Sequence, residues 1–266
     1  MNILKRNLDP ITDEAWAEID AEARKVLEAN LAARRFVDVD GPHGWHHAAE
    51  NLGRVDEMRT EGRIGWGLRR VQPLVEFRVP FALSRWELDN LSRGADDVDF
   101  DAVHSAAREA ARFEERVVYR GLPGTQLTGL IAGSRPPPLP WPSDPQAIAT
   151  SVTNALMRLA DEGVDGPYLL VLGETAYRAV AGDAEGYPLR KHLASLVGEV
   201  PVYSPGLDGA LLVSTRGGDF RLTLGADLSI GFDHTEGDQV HLYITESFTF
   251  RVTGPEAVVV LQPPTA

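Results

Sequence analysis

The sequence has no cysteine and no long apolar run, and both absences narrow the possible functions. Without cysteine, the protein has neither disulfides nor thiolate metal ligands. No stretch approaches the roughly 20 apolar residues that span a bilayer. The start, MNILKRNLDP, also has no apolar core of the length that signal peptides require. We therefore expect a cytoplasmic protein that does not bind membranes.

Basic residues are scarce: 26 Lys and Arg stand against 39 Asp and Glu, which gives a net charge of −13. A protein that holds nucleic acid must neutralise phosphates with Lys and Arg, so this balance argues against a nucleic-acid partner. Basic groups that all faced one surface would be an exception. The acidic excess is otherwise explained by solubility alone.

Common catalytic motifs are absent as well. The chain has no GxxxxGK[ST], GxGxxG, HExxH or GxSxG sequence, so we predict no catalytic residues. His43, His46 and His47 cluster in HGWHH, where a metal site can be considered beside Asp40 and Glu50. We interpret these histidines as solvated or paired side chains, and we expect no metal site.

The clearest structural signal lies in residues 216–252, where apolar and polar side chains alternate. This period of two predicts long strands with one apolar face and one solvent-exposed polar face, and with little helix around them. Glu246 falls in the apolar row between Ile244 and Phe248. A buried carboxylate needs a partner or a shifted pKa, so a salt bridge, a subunit contact or a catalytic role is possible there.

Two amphipathic helices are predicted, over residues 12–35 and 100–120. Thr12 and Asp101 are the expected N-caps, and Gly121 is expected to end the second helix. Residues 68–83 are predicted as one long strand, with Val71, Pro73, Val75 and the alternate residues after them on one face. Pro73 and Pro80 cannot donate to a ladder, which favours an edge strand.

Residues 133–145 are rich in proline and should form a stiff, extended connection or, less simply, a ligand for a proline-binding domain. Residues 147–215 alternate helix and strand. Helices are expected at 148–161, through Tyr177 and Val180, and at 189–197, with strands at 168–172, 200–203 and 210–214. This pattern predicts a compact α/β unit.

Six blocks, in order along the chain, resemble the encapsulin family of shell proteins, in particular the linocin-like family 1 encapsulins. They are FVDVDGPHGW (36–45), RWELDNLSRG (85–94), VDGPYLLVL (164–172), RGGDF (216–220), DLSIGFD (227–233) and TESFTF (245–250). The resemblance implies an α+β fold of the tailed-phage major capsid (Hong Kong 97) type. It also implies self-assembly into an icosahedral shell, whose copy number is a multiple of 60 by symmetry.

The resemblance further implies a division of the chain. Residues 1–49 would form an amino-terminal helix and arm, 50–82 an extended hairpin, 83–135 a peripheral domain with a long spine helix, 136–225 an apical domain, and 226–266 a return to the peripheral domain. The loop Asp183, Ala184, Glu185, Gly186 and Tyr187 would line the pore at the fivefold vertices.

By the same resemblance, a groove on the inner wall would bind the carboxy-terminal peptide of a cargo enzyme, such as a ferritin-like protein or a dye-decolorising peroxidase. The matching residues are Leu27, Leu31, Arg34, Asp38, Val39, Leu228, Ile230 and Phe232. Arg34 would pair with a carboxylate or cap backbone carbonyls. Alternatively, the apolar members only complete the core of the subunit.

No cofactor is required by this interpretation. Some encapsulins bind a flavin (FMN) on the outer face against a Trp and an Arg, which correspond to Trp86 and Arg78. Trp86 can equally pack in the core or at a subunit contact. Two other functions stay open: a viral capsid protein of the same fold, and an enzyme such as a peptidase or a flavin-dependent oxidoreductase.

Overall fold

The computed structural model describes residues 3–8, 10–182 and 188–262. The helices are α1 (Asp13–Asn30), α2 (Arg85–Ser92), α3 (Asp101–Arg120), α4 (Leu130–Gly133), α5 (Pro145–Asp161), α6 (Glu174–Ala181) and α7 (Leu189–Val197). The strands are β1 (Asp38–Asp40), β2 (Ala49–Val55), β3 (Arg59–Glu61), β4 (Ile64–Trp66), β5 (Arg69–Pro73), β6 (Val75–Ser84), β7 (Leu139–Pro140), β8 (Tyr168–Leu172), β9 (Val202–Tyr203), β10 (Ala210–Ser214), β11 (Phe220–Glu236), β12 (Gln239–Val252) and β13 (Val258–Gln262). No helix in these ranges is long and apolar enough to cross a bilayer.

The first sheet is built on the long hairpin of β11 and β12 and has the strand order β1-β11-β12-β6. Its strands follow the alternation of residues 216–252, but the prediction that the polar row faces solvent is wrong. The polar row, which includes Tyr243, Thr245 and Thr249, is buried. Its hydroxyls are paired, because Tyr243 donates to the carbonyl of Ile3 and Thr249 Oγ1 accepts from Gln72.

Helices α1 and α3 pack together and cover the apolar face of the first sheet, so the expectation of little helix there is also wrong. Helix α1 begins as predicted, with Thr12 accepting from the backbone N–H of Ala15 at 3.2 Å. It ends at Asn30 instead of continuing to 35. Residues Ala33–Arg35 form a separate 3-10 turn that leads the chain into β1.

Helix α3 has the predicted bounds to within one residue, and Gly121 ends it with φ 75°. Asp101, however, is not its cap: it is the first helical residue, and its N–H donates to the carboxylate of Asp99 at 2.9 Å. Asp99 rather than Asp101 thus satisfies a donor that the start of the helix leaves free.

The strand predicted over 68–83 is divided at Leu74. Strand β5 pairs with β2, whereas β6 pairs with β12 at the edge of the first sheet, where Pro80 is tolerated. The side-chain phase also changes at the break: Gln72 is buried and Val71 is exposed, the reverse of the prediction. Strands β2 to β5 form an extended arm that is exposed along most of its length.

The second sheet has the strand order β7-β13-β10-β8-β9 and carries α5, α6 and α7. The helices and strands expected in residues 147–215 are confirmed. The proline-rich segment contributes β7, which pairs in parallel with β13. Because β13 belongs to this sheet, the expected return of residues 226–266 to the peripheral part fails for the last strand.

Glu115 of α3 is a buried carboxyl that forms hydrogen bonds with the turn after α1 and with the residue that follows β9. It accepts from the N–H of Ala33 at 2.6 Å and from the hydroxyl of Ser204 at 2.7 Å. Burial raises its pKa to about 7, and the two hydrogen bonds offset only part of that rise. The folded subunit therefore holds a proton here that the unfolded chain loses near its ordinary pKa.

Because this pKa is raised, Glu115 stabilises the fold most at acidic pH, and that contribution is lost as pH rises through about 7. We expect a loss of about 3 kcal/mol between pH 4.5 and 7. Glu115→Gln should remove this part of the pH dependence. Urea unfolding across that range measures it; an unchanged slope in the variant would show that other groups set the dependence.

Candidate functional site

A groove of about 520 Å³ lies between α1 and the middle of the first sheet. Helix α1 supplies one wall, a segment of β11 supplies the other, and Ile244 of β12 lies between them. The lining residues are Leu4, Arg6, Asp20, Ala23, Arg24, Leu27, Glu28, Leu31, Arg34, Asp227, Leu228, Ser229, Ile230 and Ile244. The groove thus has apolar side chains within a charged rim, as sites for an extended peptide commonly do.

A β-bulge shapes the strand wall. The register passes from Ala226 opposite Ser247 to Ser229 opposite Thr245, so Asp227 and Leu228 together oppose a single residue. A bulge bends the strand and redirects its side chains. Asp227 is consequently turned towards Arg34, and Leu228 is left half-buried on the groove side.

The amino-terminal arm closes one end of the groove. The N–H of Phe232 donates to the carbonyl of Leu4 at 2.8 Å, and Arg6 Nε donates to the carbonyl of Ile230 at 2.8 Å. Arg6 also forms a two-pronged ion pair with Asp20, both contacts at 2.7 Å. The arm therefore runs beside β11 and fastens it to α1.

Arg34 lies at the other end and is the centre of an ion-pair cluster with Glu114, Asp227 and Glu246, called here the Arg34 cluster. Its guanidinium lies 2.5 Å from Glu114, 2.9 Å from Asp227 and 2.7 Å from Glu246. Glu114 and Glu246 have no exposed surface. The expectation that a buried Glu246 needs a partner is met by this contact, in which its Oε1 accepts from Arg34.

Electrostatics within the Arg34 cluster favour a proton on Glu246. Burial and the neighbouring carboxylate of Glu114 raise the pKa of Glu246 well above its usual range, although Arg34 opposes the rise. Burial works against the charge of Arg34, but Glu114 and the other carboxyls raise the pKa of the guanidinium. The raised pKa therefore favours the protonated, neutral form of Glu246, beside an Arg34 that stays charged.

The structure brings five of the eight predicted cargo-groove residues together: Leu27, Leu31, Arg34, Leu228 and Ile230 all line it. Asp38 and Val39 do not, because β1 pairs with the far part of β11 at Arg221 and Leu222. Phe232 is in the core and is buried. Arg34 lines the groove, and its guanidinium donates to Glu114, Asp227 and Glu246 of the same chain. Its expected role towards a cargo peptide stays a prediction.

Sequence reasoning did not predict that the amino-terminal residues Leu4 and Arg6 and the bulge residue Asp227 line the groove.

A separate cluster was also missed: His234, Glu236 and His241 meet at the end of the long hairpin. The only sequence signal for that cluster is the pair of histidines placed symmetrically about Gly237 and Asp238.

Arg78 and Trp86, the residues expected to hold a flavin, lie on different elements, β6 and α2. Arg78 lies over the ring of Tyr243, 4.5 Å from its centroid. Six residues of extended strand, about 20 Å, separate it from Ser84, which caps α2 just before Trp86. Trp86 is 63% exposed, which excludes the alternative of core packing within the subunit.

The predicted pore residues 183–187 lie outside the described part of the chain. The HGWHH histidines pair with carboxylates as expected: His43 lies 3.1 Å from Asp40, and His47 lies 3.0 Å from Glu50.

Comparison with known proteins decides the family. The family model described as "Encapsulating protein for peroxidase" matches residues 1–249. The chain belongs to the encapsulin shell proteins. It is 44% identical to a type 1 encapsulin shell protein of Rhodospirillum rubrum, over 98% of this chain and 97% of that one. It is 41% identical to the type 1 encapsulin shell protein of Mycobacterium tuberculosis, over 98% and 99% of the two chains.

Solved structures confirm the capsid fold of this encapsulin. A virus-like particle from Pyrococcus furiosus superposes with a TM-score of 0.66 at 17% identity, over 94% of this chain and all of that one. A capsid protein of a gene-transfer-agent (GTA) particle gives 0.58 at 15% identity, over 88% and 90%. Since its 40–44% identical relatives are named as shell proteins, the encapsulin is a structural protein and not an enzyme.

The protonation of Glu246 leads to a testable difference between two substitutions. Glu246→Gln keeps the shape and the neutral charge, so it should leave the free energy of unfolding within about 1 kcal/mol of the wild type. Glu246→Leu removes an acceptor from half-buried Arg34 and should cost about 1–3 kcal/mol. Urea unfolding at pH 7 compares them; equal damage from both variants would show that the carboxylate is ionised.

Proposed function

We propose that this encapsulin builds a closed icosahedral nanocompartment in the cytoplasm and encloses cargo enzymes that it captures by a carboxy-terminal peptide. The observation that carries the assembly is the extended arm of β2 to β5. Among the described residues, six of the thirteen exposed large apolar side chains fall between Val55 and Val71. A monomer would leave this surface in water, whereas a neighbouring subunit in a shell would cover it.

The arm also has few contacts that hold it to its own subunit. Strands β3 and β4 pair only with each other, and every residue in them is exposed. An isolated two-stranded hairpin is marginally stable in water. Packing against another copy supplies the missing apolar contact, so the arm is suited to joining subunits.

Charged residues at the exposed apolar positions of the arm should block assembly without unfolding the subunit. Ile64 and Leu68 are 67% and 63% exposed. The double variant Ile64→Asp/Leu68→Asp should sediment as small species with wild-type circular dichroism, because the charges cannot be buried in a contact. The matched control is Met157→Asp/Val200→Asp, at apolar positions 60% and 53% exposed outside the arm. Closed particles from the arm variant would contradict the proposal.

Cargo capture is supported by the shape and polarity of the groove. Its volume of about 520 Å³ suits a few side chains of an extended peptide. Leu27 of α1 and Leu228 of β11 are half-buried and both line the groove, which offers apolar contact to an anchor residue. Arg24 and Glu28 on the charged rim provide partners for the peptide backbone and ends.

The cargo class follows from the family description, which names a peroxidase. We propose a dye-decolorising peroxidase or a ferritin-like protein as cargo, with roles in oxidative stress or iron storage. The shell itself requires no cofactor for this function.

Substitutions at the half-buried leucines of the groove should prevent the shell from loading cargo. Leu27→Asp/Leu228→Asp places two carboxylates where a peptide anchor would be buried, so particles should form but lose cargo at least tenfold. Ile230 is unsuitable for this test because it is 3% exposed and belongs to the core.

The readout is a fluorescent protein that carries the carboxy-terminal peptide of a dye-decolorising peroxidase, coexpressed with the shell. Fluorescence that sediments with particles reports capture, and Met157→Asp/Val200→Asp controls for the added charge. Equal loading of the groove variant and the wild type would show that the peptide binds elsewhere.

A further inference from the structure

The end of the long hairpin projects a group of imidazoles and carboxylates. Strands β11 and β12 are joined by Gly237 and Asp238, and Gly237 has φ 56°, as a tight two-residue turn requires. The register places His234 opposite His241, close to this turn. Two imidazoles are thereby fixed on neighbouring strands of one ladder.

One ligand atom each from His234, Glu236 and His241 lies within 4.8 Å of the other two. We propose that these three side chains form a binding site for a transition-metal dication, of which Zn²⁺ is the probe. Imidazole nitrogen together with carboxylate oxygen is a donor set that suits Zn²⁺, Ni²⁺ and Cu²⁺. Three protein ligands leave a fourth position for water.

The distances are longer than those that a bound ion needs. Zinc lies about 2.1 Å from nitrogen and oxygen ligands, so two ligand atoms of a tetrahedral site are about 3.4 Å apart. The present spread of 4.8 Å therefore has to contract by about 1.4 Å. Both histidines can supply this movement, because their side chains are 53% and 33% exposed.

The rings have to turn as well as approach. They are stacked, with centroids 4.3 Å apart and planes 2° apart. An ion bound by both imidazoles lies near the plane of each ring, so at least one ring has to rotate about χ2 before both can bind it. The hairpin backbone fixes the Cα positions, and only exposed side chains have to rearrange.

Asp233 gives one imidazole a defined orientation. Its carboxylate lies 3.0 Å from Nδ1 of His234, which leaves Nε2 of that ring as the metal ligand. A carboxylate that holds the second nitrogen of a ligating histidine is a common support of zinc sites. In contrast, His43 and His47 each have a separate carboxylate, and among the described residues only the hairpin cluster brings three such ligands together.

The test is calorimetric titration of untagged, chelator-treated particles with Zn²⁺ and, separately, with Mg²⁺. We expect one Zn²⁺ per subunit and no measurable Mg²⁺ binding, since Mg²⁺ prefers an all-oxygen site. His234→Gln/His241→Gln should weaken Zn²⁺ binding at least tenfold, and Asp233→Asn should weaken it about 10-fold or more through loss of the support. Electron microscopy checks that each variant still assembles.

The matched control is His46→Gln/His192→Gln, which removes two exposed imidazoles elsewhere. It should bind Zn²⁺ like the wild type. Glu236→Gln is a second test of the same site and should also weaken binding, should the double variant fail to assemble. Wild-type affinity in the hairpin variants, or equal loss in the control, would overturn the proposal.

Discussion

The ion pairs of the half-buried Arg34 guanidinium are the interactions on which the rest of the subunit depends. The guanidinium joins the turn after α1 to the spine helix α3 and to both strands of the long hairpin through three carboxyl groups. Removal of one partner of a buried ion pair leaves an uncompensated charge, which is strongly destabilising. The cluster therefore holds the turn after α1 against the bulge of β11. Both features line the groove.

A second constraint is that apolar side chains are buried in some parts of the chain and exposed in others. The two sheets bury nearly continuous apolar strands, such as β10 and β13, whereas β2 to β5 bury almost nothing. A chain that folds alone would remove such an arm from water. The subunit is thus complete in its core and incomplete at its edges, which is the arrangement expected of a unit that tiles a surface.

Much of this fold follows from the sequence. The long hairpin, the spine helix up to Gly121 and the α/β pattern of residues 147–215 all have local signals of period and capping. The burial of the polar row at Thr245 and Thr249 has no local signal, because it depends on Gln72, far away in sequence. The early end of α1 similarly depends on a distant carboxylate, Glu115.

The candidate site was also predictable only in part, because contacts between distant parts of the chain bring some of its residues together. Leu27, Leu31, Leu228 and Ile230 were predicted through the family resemblance, and they line the two walls of the groove. Asp227 enters the groove through a bulge, and a one-residue irregularity does not show in alternation. The hairpin histidines were missed because they are seven residues apart along the chain and become neighbours only through the strand register.

The small size of the groove has a consequence for the proposed capture of cargo. A pocket of about 520 Å³ contacts only a few residues, so one tail bound there as proposed would be held weakly. An oligomeric guest presents several tails to adjacent subunits at a high effective concentration, and avidity then raises retention by about 10²–10⁴. Monomeric guests should leak from an open or damaged wall, while multimers with the same tail stay bound.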